Sequence, residues 1–398
     1  MRGAHALQGL KILDFTRVYS GPYCTMLLAD LGAEVVKVEA VGRGDDTRAF
    51  FPIKNGQSGY FTYLNRNKKS ITLDLKSEEG RQLALELVRW ADVLVENFSA
   101  GTIGKLGLGY EQARQVNPAI VYASISGFGQ SGPYSKKAAY DAVAQAMGGM
   151  TYLTGFPDAE PVKVGPAISD AATGVHTAVA ILAALRYRDQ TGIGQYIDVA
   201  MMDTVFSMLE NAVPIMTLTG EPPQRIGNAN PGSAPYNMYP TRDGSVVIAT
   251  ANDSLFARLV GVMGRPDLLD DPRFRTNPER KRHEGAIDAL VGAWTQGHTT
   301  AEVESMLDAV GVPVASAKSI GQLVEDPQLI HRDMLIRQEV PGVGEVRFPG
   351  NPLKLQRTPP DTSRRAPLLG EHTEEILRDV LGRSDADIQR LRERQVIQ

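Results

Sequence analysis

The sequence predicts an α/β protein in which a parallel β-sheet carries helices on both faces and a smaller α/β domain follows. Short apolar segments rich in Val, Ile and Leu alternate with segments of helical periodicity up to Asp203. Such alternation is typical of βαβ units, which build parallel sheets covered by helices. After Asp203 the composition changes, and the Pro-, Gly- and Asn-rich segment 227–240 precedes a second group of strand-like and helical segments.

In the first part of the chain, four apolar segments predict strands, and the segments between them predict helices. The helix at 21–33 has Pro22 near its first turn and Gly32 at its end, where these residues are favoured. A later helix has Ser77 as its expected N-cap and a leucine on successive turns of its inner face. The predicted strands are LKILDF (10–15), EVVKVEA (34–40), ADVLVENF (91–98) and AIVYASIS (119–126).

The second part predicts a small domain at 225–330, preceded by a large domain at 1–224 and followed by a C-terminal segment at 331–398. Within 225–330 we expect strands at SVVIATA (245–251) and GVPVASA (311–317) and helices at 255–263 and 284–294. In the C-terminal segment, one helix is expected from Thr373 to Gly382. A second begins at Ser384, whose spacing to Asp387 is that of a capping box.

Composition excludes several classes of protein. The 398 residues are 42% hydrophobic and 22% charged with a net charge of −4, so nucleic acid is not an expected partner. The N-terminus resembles no secretory signal, and the apolar run AVAILAAL (178–185) is too short to span a bilayer. The single cysteine, Cys24, and six histidines without paired spacing predict neither a disulfide nor a metal site. We therefore expect a cytoplasmic protein that contacts no membrane.

The stretch ISGFGQSGP (125–133) contains the G-x-G-x-x-G pattern through Gly127, Gly129 and Gly132. A dinucleotide fingerprint opens the first βα turn, enters a helix directly and precedes an acidic residue about 20 positions on. Here the glycines follow a late strand and lead into PYSKKAA, so the dinucleotide interpretation fails. Because ligands of open α/β sheets bind beyond the carboxyl ends of strands, these glycines instead predict a loop that covers a substrate.

The most suggestive carboxylate is Asp170, which lies before an apolar helical segment whose first residues are small. An Asp at this position is commonly only an N-cap. The same position would keep a carboxylate ionised for nucleophilic attack, since a helix N-terminus lowers its pKa, and the small residues would admit a bulky acyl thioester. Pattern alone leaves cap and nucleophile open.

These residues together resemble the class III coenzyme A transferases, also called the CaiB/BaiF family, over nearly the whole chain. The resemblance is closest to the acetyl-CoA:oxalate and formyl-CoA:oxalate enzymes. It implies a Rossmann-like large domain built from both chain ends, a small domain between them, a homodimer of interlocked subunits, and Asp170 as nucleophile. The motifs that carry it are GPYCTMLLADLGAEVVKVE, GDDTR, NRNKKSITLDLK, DVLVENF, SGFGQSGP, YDAVAQAMGG, TGIGQYIDVAMMD and APLLGEHT.

The resemblance also implies which residues contact CoA. The cover of the site is expected to be either the loop with the glycines of 127–132 or the loop that contains Gly227 and Asn228, and the sequence leaves the choice open. Two departures from formyl-CoA transferase are Ala40, where that enzyme has Arg, and a missing tetraglycine segment, which argues against formyl-CoA as donor. The implied CoA-binding residues are Tyr19, Ser20, Leu73, Asp74, Leu75, Lys76, Asn97, Phe98, Lys105, Tyr140 and Asp141.

The implied reaction moves CoA from an acyl-CoA to a free carboxylic acid through an aspartyl-CoA thioester, with CoA thioesters as substrates and no permanently bound cofactor. We expect a small dicarboxylate such as oxalate or succinate, whose second carboxylate Arg17, Arg48 or Arg225 could bind. An α-methylacyl-CoA racemase is the alternative on the same fold, but its Gly-His-Asp motif is Ala-Tyr-Asp at 139–141. A CoA-binding regulator without turnover and a carnitine-type acceptor also remain open.

Overall fold

A computed structural model describes residues 5–398. The strands are β1 (Lys11–Asp14), β2 (Glu34–Glu39), β3 (Ile53–Lys54), β4 (Gln57–Ser58), β5 (Lys68–Thr72), β6 (Val93–Glu96), β7 (Val121–Ser126), β8 (Tyr196–Ala200), β9 (Tyr236–Pro240), β10 (Ser245–Ala249), β11 (Val314–Ser316), β12 (Leu335–Val340) and β13 (Gly344–Pro349). The helices are α1 (Ser20–Asp30), α2 (Gly59–Asn65), α3 (Glu78–Trp90), α4 (Thr102–Lys105), α5 (Tyr110–Val116), α6 (Asp141–Met147), α7 (Met150–Leu153), α8 (Ile168–Thr191), α9 (Met201–Ser207), α10 (Ala212–Thr219), α11 (Asp253–Val262), α12 (Asn277–Arg282), α13 (Glu284–Gln296), α14 (Thr300–Asp308), α15 (Ile320–Leu323), α16 (Pro327–His331), α17 (Thr373–Asp379) and α18 (Asp385–Glu393).

Six strands form one parallel sheet in the order β5-β2-β1-β6-β7-β8. In its register, Leu13 lies opposite Val36 on one side and Leu94 on the other. The mixed α/β fold with a large parallel sheet is thus confirmed. All six carboxyl ends meet at one edge, which is where such sheets bind ligands.

Both faces of the sheet are buried, which explains why its inner strands are apolar almost throughout. On one face, α3, α17 and α18 pack against side chains that include Leu13 and Leu94. On the other, α1 and α8 pack against side chains that include Ile12 and Val121. The predicted Ser77 cap is confirmed, because its hydroxyl accepts the Gly80 N–H at 3.0 Å.

The APLLGEHT motif (366–373) binds the outer edge of the sheet at β5. The backbone N–H of His372 donates to the Ser70 carbonyl at 2.9 Å, and the Gly370 N–H donates to the Ser70 hydroxyl at 3.0 Å. The hydroxyl of Thr373 in turn accepts the N–H of Thr72 at 3.1 Å. Residues from both ends of the described chain therefore build the domain that holds the large sheet.

The chain forms two compact units. The first comprises residues up to Met150, Lys163–Val213 and Pro327–Gln398, and the second comprises Thr151–Val162 and Pro214–Asp326. The second unit holds the antiparallel sheet β11-β10-β9 and its own core.

The division differs from the predicted 1–224, 225–330 and 331–398 in that the second unit runs from Pro214 to Asp326 and also includes the short excursion 151–162. The Arg225 guanidinium holds it there by donating to the backbone carbonyls of Tyr152, Phe156 and Ala159. The Gly227 N–H adds a bond to the Gly155 carbonyl at 2.9 Å.

Helix α8 is longer than its apolar run suggested. Its 24 residues are long and apolar enough to cross a membrane by length and composition alone, which corrects the view that no segment approaches that length. In the same helix, the run 178–185 is preceded by turns whose only acidic or basic residues are Asp170 and His176. In this fold Ile181, Ala184 and Leu185 are buried against the sheet, as in the core helix of an α/β domain.

Candidate active site

Asp170 lies within the first turn of α8, which begins at Ile168 with Ala167 at the N-cap position. Of the two interpretations that the sequence left open for Asp170, the N-cap is therefore excluded. Its carboxylate instead faces the start of α1, where the hydroxyl and the backbone N–H of Ser20 hydrogen-bond to it. Helices α1 and α8 approach closely here, because a Cβ at Gly174 would lie 2.7 Å from the Ser20 carbonyl oxygen. The small residues after Asp170 thus admit a neighbouring helix.

Asp141, the first residue of α6, supplies the cap that Asp170 does not. Its Oδ1 accepts the backbone N–H of Ser169 at 2.9 Å and that of Asp170 at 3.4 Å. Its Oδ2 accepts the side-chain amide of Gln145 at 2.7 Å. Asp141 thereby fixes the turn that carries Asp170 and places a second negative charge beside it.

The pKa of Asp170 is raised from 3.8 to about 7, chiefly because the carboxyl is buried and next because Asp141 is nearby. The hydrogen bonds from Ser20 oppose this effect and lower the pKa. The expectation that the helix N-terminus would keep Asp170 strongly acidic is thus corrected. A carboxyl of this kind changes charge near neutral pH, which is common at functional sites.

Four tyrosines, Tyr19, Tyr23, Tyr60 and Tyr63, form a cluster of rings at the start of α1. The ring of Tyr19 lies 5.6 Å from that of Tyr23 and 5.9 Å from that of Tyr60, and Tyr19 and Tyr63 share a hydrogen bond. The pKa of Tyr60 is raised to about 12, by burial first and then by the charges of Asp170 and Asp141. The sequence analysis missed Tyr60 because no local pattern marks it.

A cleft of about 660 Å³ opens at the carboxyl ends of β1, β2, β5 and β6. Four of the predicted CoA-binding residues, Leu73, Asp74, Leu75 and Lys76, line it where the chain leaves β5, and Phe98 lines it after β6. Ala40 also lines it and provides no polar side chain there. The cleft is of a size that holds a cofactor or a large ligand.

Two buried lysines, Lys37 and Lys68, lie in the strands whose carboxyl ends form the cleft. Lys37 bonds to Asp45 at 2.8 Å and to the Thr16 carbonyl at 2.7 Å. Lys68 bonds to Asp14 at 3.1 Å, and burial lowers its pKa to about 8. Sequence reasoning missed both, although a lysine inside the apolar strand EVVKVE was a signal of a paired buried charge.

Asn97 joins the ends of β1 and β6. Its side-chain oxygen accepts the N–H of Arg17 at 2.9 Å, and its amide donates to the Arg17 carbonyl at 2.7 Å. Beside it, Glu96 is buried and has a pKa raised to about 7 by loss of solvent, with the Phe98 N–H and the Ser124 hydroxyl as hydrogen-bond donors. The turn that includes Asn97 and Phe98 is thus fixed in the wall of the cleft.

The loop after β7 contains Gly127, Gly129 and Gly132. A Cβ on Gly127 would meet that of Ala139 at 2.3 Å, so only glycine fits there. Gly129 has a φ of +85° and its N–H donates to the Ser126 hydroxyl at 2.9 Å. These contacts fix one side of the loop to the end of the sheet.

The remaining predicted residues occupy separate places. Tyr140 precedes α6 with 72% of its surface exposed, and Lys105 ends α4 in an exposed position. Gly227 and Asn228 belong to the second unit. Of the three arginines considered for a second carboxylate, only Arg17 has most of its guanidinium donors available, since its one ion pair with Asp46 is long, at 3.4 Å.

Arg48 and Arg225 already have partners. The Arg48 guanidinium makes two bonds of 2.7 Å to Glu39 and lies over the Phe61 ring. Arg225 donates to three backbone carbonyls within the second unit. Both are therefore better explained as structural residues than as substrate ligands.

A half-buried carboxyl with a raised pKa at a helix start, and a nucleotide-sized cleft at the carboxyl ends of a parallel sheet in the same unit, are the features of an enzyme of acyl or group transfer. The profile of CoA-transferase family III matches residues 7–373. The chain belongs to this family and is a CoA-transferase, which confirms the resemblance seen in its motifs.

Similar proteins support this assignment. The succinyl-CoA–D-citramalate CoA-transferase of Chloroflexus aurantiacus is 38% identical over 398 residues, covering 100% of this chain and 99% of its own. The acetyl-CoA:oxalate CoA-transferase of Acetobacter aceti is 42% identical, covering 87% of this chain and 88% of its own. The crystal structure of a CaiB/BaiF family protein from Brucella suis is 38% identical with a TM-score of 0.84, covering 94% of this chain and 99% of its own.

Proposed function

We propose that this enzyme transfers CoA between an acyl-CoA donor and a dicarboxylic acid through an aspartyl-CoA thioester on Asp170. One observation carries the proposal: a half-buried carboxyl on the first turn of α8, held by Asp141, faces Ser20 at the start of α1, and the turn between β1 and α1 also lines the cleft. A nucleophilic carboxylate needs this combination of restraint and limited hydration.

The reaction proceeds by acyl exchange in balanced steps. An Asp170 oxygen attacks the donor carbonyl, the C–S bond breaks, and CoA leaves as thiolate from a mixed anhydride. The thiolate attacks the Asp170 carbonyl carbon and releases the donor acid, which leaves an aspartyl-CoA thioester. The acceptor carboxylate attacks that thioester, and the returning thiolate then takes the acceptor acyl group and frees Asp170. No proton is gained or lost over the cycle.

The environment of Asp170 suits both halves of this cycle. The raised pKa of Asp170 makes its carboxylate a stronger nucleophile than an exposed one, although only the ionised fraction attacks. The Ser20 hydroxyl and N–H, which favour the ionised form of Asp170, are the proposed groups that stabilise the negative charge on the Asp170 oxygen when the aspartyl-CoA thioester is attacked. The loop of Gly127, Gly129 and Gly132 is the proposed cover that keeps water from the anhydride.

We further infer that CoA lies along the cleft with its thiol towards Asp170. Tyr19, Ser20, Asn97 and Phe98 would contact the pantetheine arm, and Leu73–Lys76 would contact the adenosine. Lys105, Tyr140 and Asp141, and the second-unit loop with Gly227 and Asn228, remain proposed contacts.

The donor is proposed to be succinyl-CoA and the acceptor a dicarboxylate. Relatives named for succinyl-CoA act with D-citramalate in Chloroflexus aurantiacus and with glutarate in mouse, and the Acetobacter aceti relative is named for oxalate. Arg17, which lines the cleft, is the candidate for gripping a second carboxylate, because its guanidinium is half-exposed and loosely paired.

A homodimer of interlocked cytoplasmic subunits is also proposed. Val175, Val179 and Leu182 form an apolar face of α8 with 43%, 61% and 38% of their surfaces exposed. An exposed apolar stripe on an otherwise polar protein is typical of an interaction surface.

The deciding experiment is mass spectrometry of the intact protein and its peptides after incubation with succinyl-CoA. The proposal expects a CoA adduct on the Asp170 peptide that Asp170→Ala lacks, and that oxalate, succinate or glutarate discharges to a new acyl-CoA. Asp203→Asn, an exposed carboxylate change on α9, is the control. Absence of an adduct, together with α-proton exchange in a branched acyl-CoA, would favour the racemase instead.

A further inference from the structure

Three basic side chains line one end of the cleft, and they come from three separate parts of the chain. Arg43 lies in the turn that follows β2, Lys76 follows β5, and Arg394 follows α18. Lys76 was expected to contact CoA, whereas neither Arg43 nor Arg394 was singled out by any motif.

These cations are available for a ligand. Among residues 5–398, Arg43 and Lys76 have no ion-pair partner, and both are exposed. Arg394 makes one bond of 2.9 Å to Glu79, and this ion pair is exposed. Because exposed ion pairs contribute little, the other Arg394 donors can turn to a ligand at small cost.

The backbone segments that carry Arg43 and Arg394 are fixed to each other and to the sheet. The Gly42 N–H donates to the side chain of Gln398 at 3.1 Å, and the Gln398 N–H donates to the Thr72 hydroxyl at 2.9 Å. The Asp74 N–H donates to the Val396 carbonyl at 2.8 Å. Because the backbone that carries these side chains is already fixed, it loses less conformational freedom when the side chains bind an anion.

Two of the three acidic side chains that line the same cleft are paired with cations. Glu39 is paired with Arg48 at 2.7 Å, and Asp45 is paired with Lys37 at 2.8 Å. The Asp74 carboxylate accepts the backbone N–H of Lys76 at 3.1 Å. The end of the cleft that holds Arg43 and Arg394 therefore keeps an excess of positive charge and favours a dianion.

The position of Asp170 sets the direction of the ligand. Ser20, which bonds to Asp170, follows β1, whereas Arg43 and Lys76 follow β2 and β5, the two strands at the outer edge of the sheet. A CoA thioester that reaches Asp170 thus has its adenosine end at the outer edge. That end carries a 3′-phosphate, a dianion distinct from the diphosphate of the linker.

We propose that Arg43 and Arg394, together with Lys76, bind the 3′-phosphate of CoA and give the enzyme its preference for CoA over 3′-dephospho-CoA. The assignment rests on the proposed function. Arg394 is then part of the substrate site, while the residues that follow it hold the segment against the sheet.

Calorimetric binding of adenosine 3′,5′-bisphosphate and adenosine 5′-monophosphate to the full chain tests the assignment without turnover. The wild type should bind the bisphosphate about 10–100-fold more tightly, as charge-assisted phosphate contacts allow. Arg43→Gln should lower bisphosphate affinity about 10-fold, Arg394→Gln should lower it several-fold, and neither should change binding of the monophosphate. Arg89→Gln, an exposed arginine of α3 outside the cleft, is the matched control and should change neither.

Equal binding of the two nucleotides by the wild type, or equal weakening of both by Arg43→Gln, would overturn the assignment. A CoA adduct on Asp170 in a protein that ignores the 3′-phosphate would leave the transferase mechanism standing and remove only the phosphate assignment. Selectivity for the bisphosphate in a protein that forms no adduct would leave the phosphate assignment standing and remove the transferase mechanism. In steady state, Arg43→Gln should raise KM for succinyl-CoA about 10-fold with kcat within about 2-fold, and should leave KM for 3′-dephospho-succinyl-CoA unchanged.

Discussion

The Oδ1 atom of Asp141 lies 3.4 Å from the backbone nitrogen of Asp170, so a carboxylate from α6 lies against the first turn of α8, which carries the Asp170 carboxylate. Asp141 does two things there that oppose each other. Its hydrogen bonds fix the turn, while its charge raises the pKa of the Asp170 carboxyl. These two effects can be tested separately, because an amide in place of the Asp141 carboxylate can keep the hydrogen bonds that fix the turn while it removes the negative charge.

Asp141→Asn is expected to lower the pKa of Asp170. The amide oxygen can still accept the Ser169 N–H, but the negative charge is gone, and a like charge at this range commonly accounts for about one pKa unit. The acid limb of kcat/KM should move from near pH 7 to lower pH by roughly that amount. The measurement is a pH profile from pH 5 to 9 with Asp203→Asn as control, and an unmoved acid limb would contradict the assigned electrostatics.

The Asp141 cap illustrates what the sequence could not reveal. Asp170 was the local choice for an N-cap, because Asp is favoured there and the apolar helix follows it. The structure uses a carboxylate 29 residues earlier in the chain, brought in by packing of α6 against α8. No local rule contains that contact, and the burial that raises the pKa of Asp170 is equally a tertiary property.

Where the signal was local, the sequence analysis was accurate. The β-branched runs at 34–40 and 119–126 became β2 and β7, and Ser77 caps α3 as its spacing predicts. The excursion 151–162 was not foreseen, since its contacts with Arg225 are long-range hydrogen bonds. The resemblance of the motifs, in contrast, predicted the family correctly, and the family model matches residues 7–373.

Asp170→Asn is expected to stabilise the protein while abolishing transfer. The pKa of the native carboxyl is about 7 and its ordinary value is 3.8, so the folded chain holds this proton more tightly than the unfolded chain. Its contribution to stability is complete below about pH 4, declines as pH rises to about 7, and is lost above that. At pH 8 the variant should therefore be more stable, on the order of 1–3 kcal/mol.

Urea denaturation at pH 8 and pH 5 measures that difference, which should shrink at the lower pH. Asp203→Asn again serves as the comparison, because an exposed carboxylate should give no gain at either pH. A variant that is less stable than the wild type at pH 8 would mean that ionised Asp170 is better solvated than its burial implies.

The buried pair of Asp14 and Lys68 is expected to be a strong determinant of folding. Both side chains are fully buried, and Asp14 also accepts the hydroxyl of Thr25 at 2.7 Å. Asp14→Asn leaves the Lys68 charge without its counter-ion and should lower the free energy of unfolding by about 3–5 kcal/mol. Lys68→Met alone should be similarly costly, because it strands the carboxylate.

A double-mutant cycle on these two residues checks the pair directly. Asp14→Asn combined with Lys68→Met should cost less than the sum of the single changes, since no unpaired charge then remains buried. Additive losses in urea denaturation would indicate that the two groups do not depend on each other.

The apolar face of α8 is expected to hold the homodimer together. Val175, Val179 and Leu182 follow helical spacing on one side of α8, while Ile181 on the other side is buried in the sheet. Val179→Glu would place a charge in the proposed interface and should shift the protein from dimer to monomer or aggregate in sedimentation velocity. Gln82→Glu adds the same charge to the exposed surface of α3 and should leave sedimentation unchanged. A wild-type protein that sediments as a monomer, or a Val179→Glu variant that sediments as the wild type does, would exclude this face as the interface.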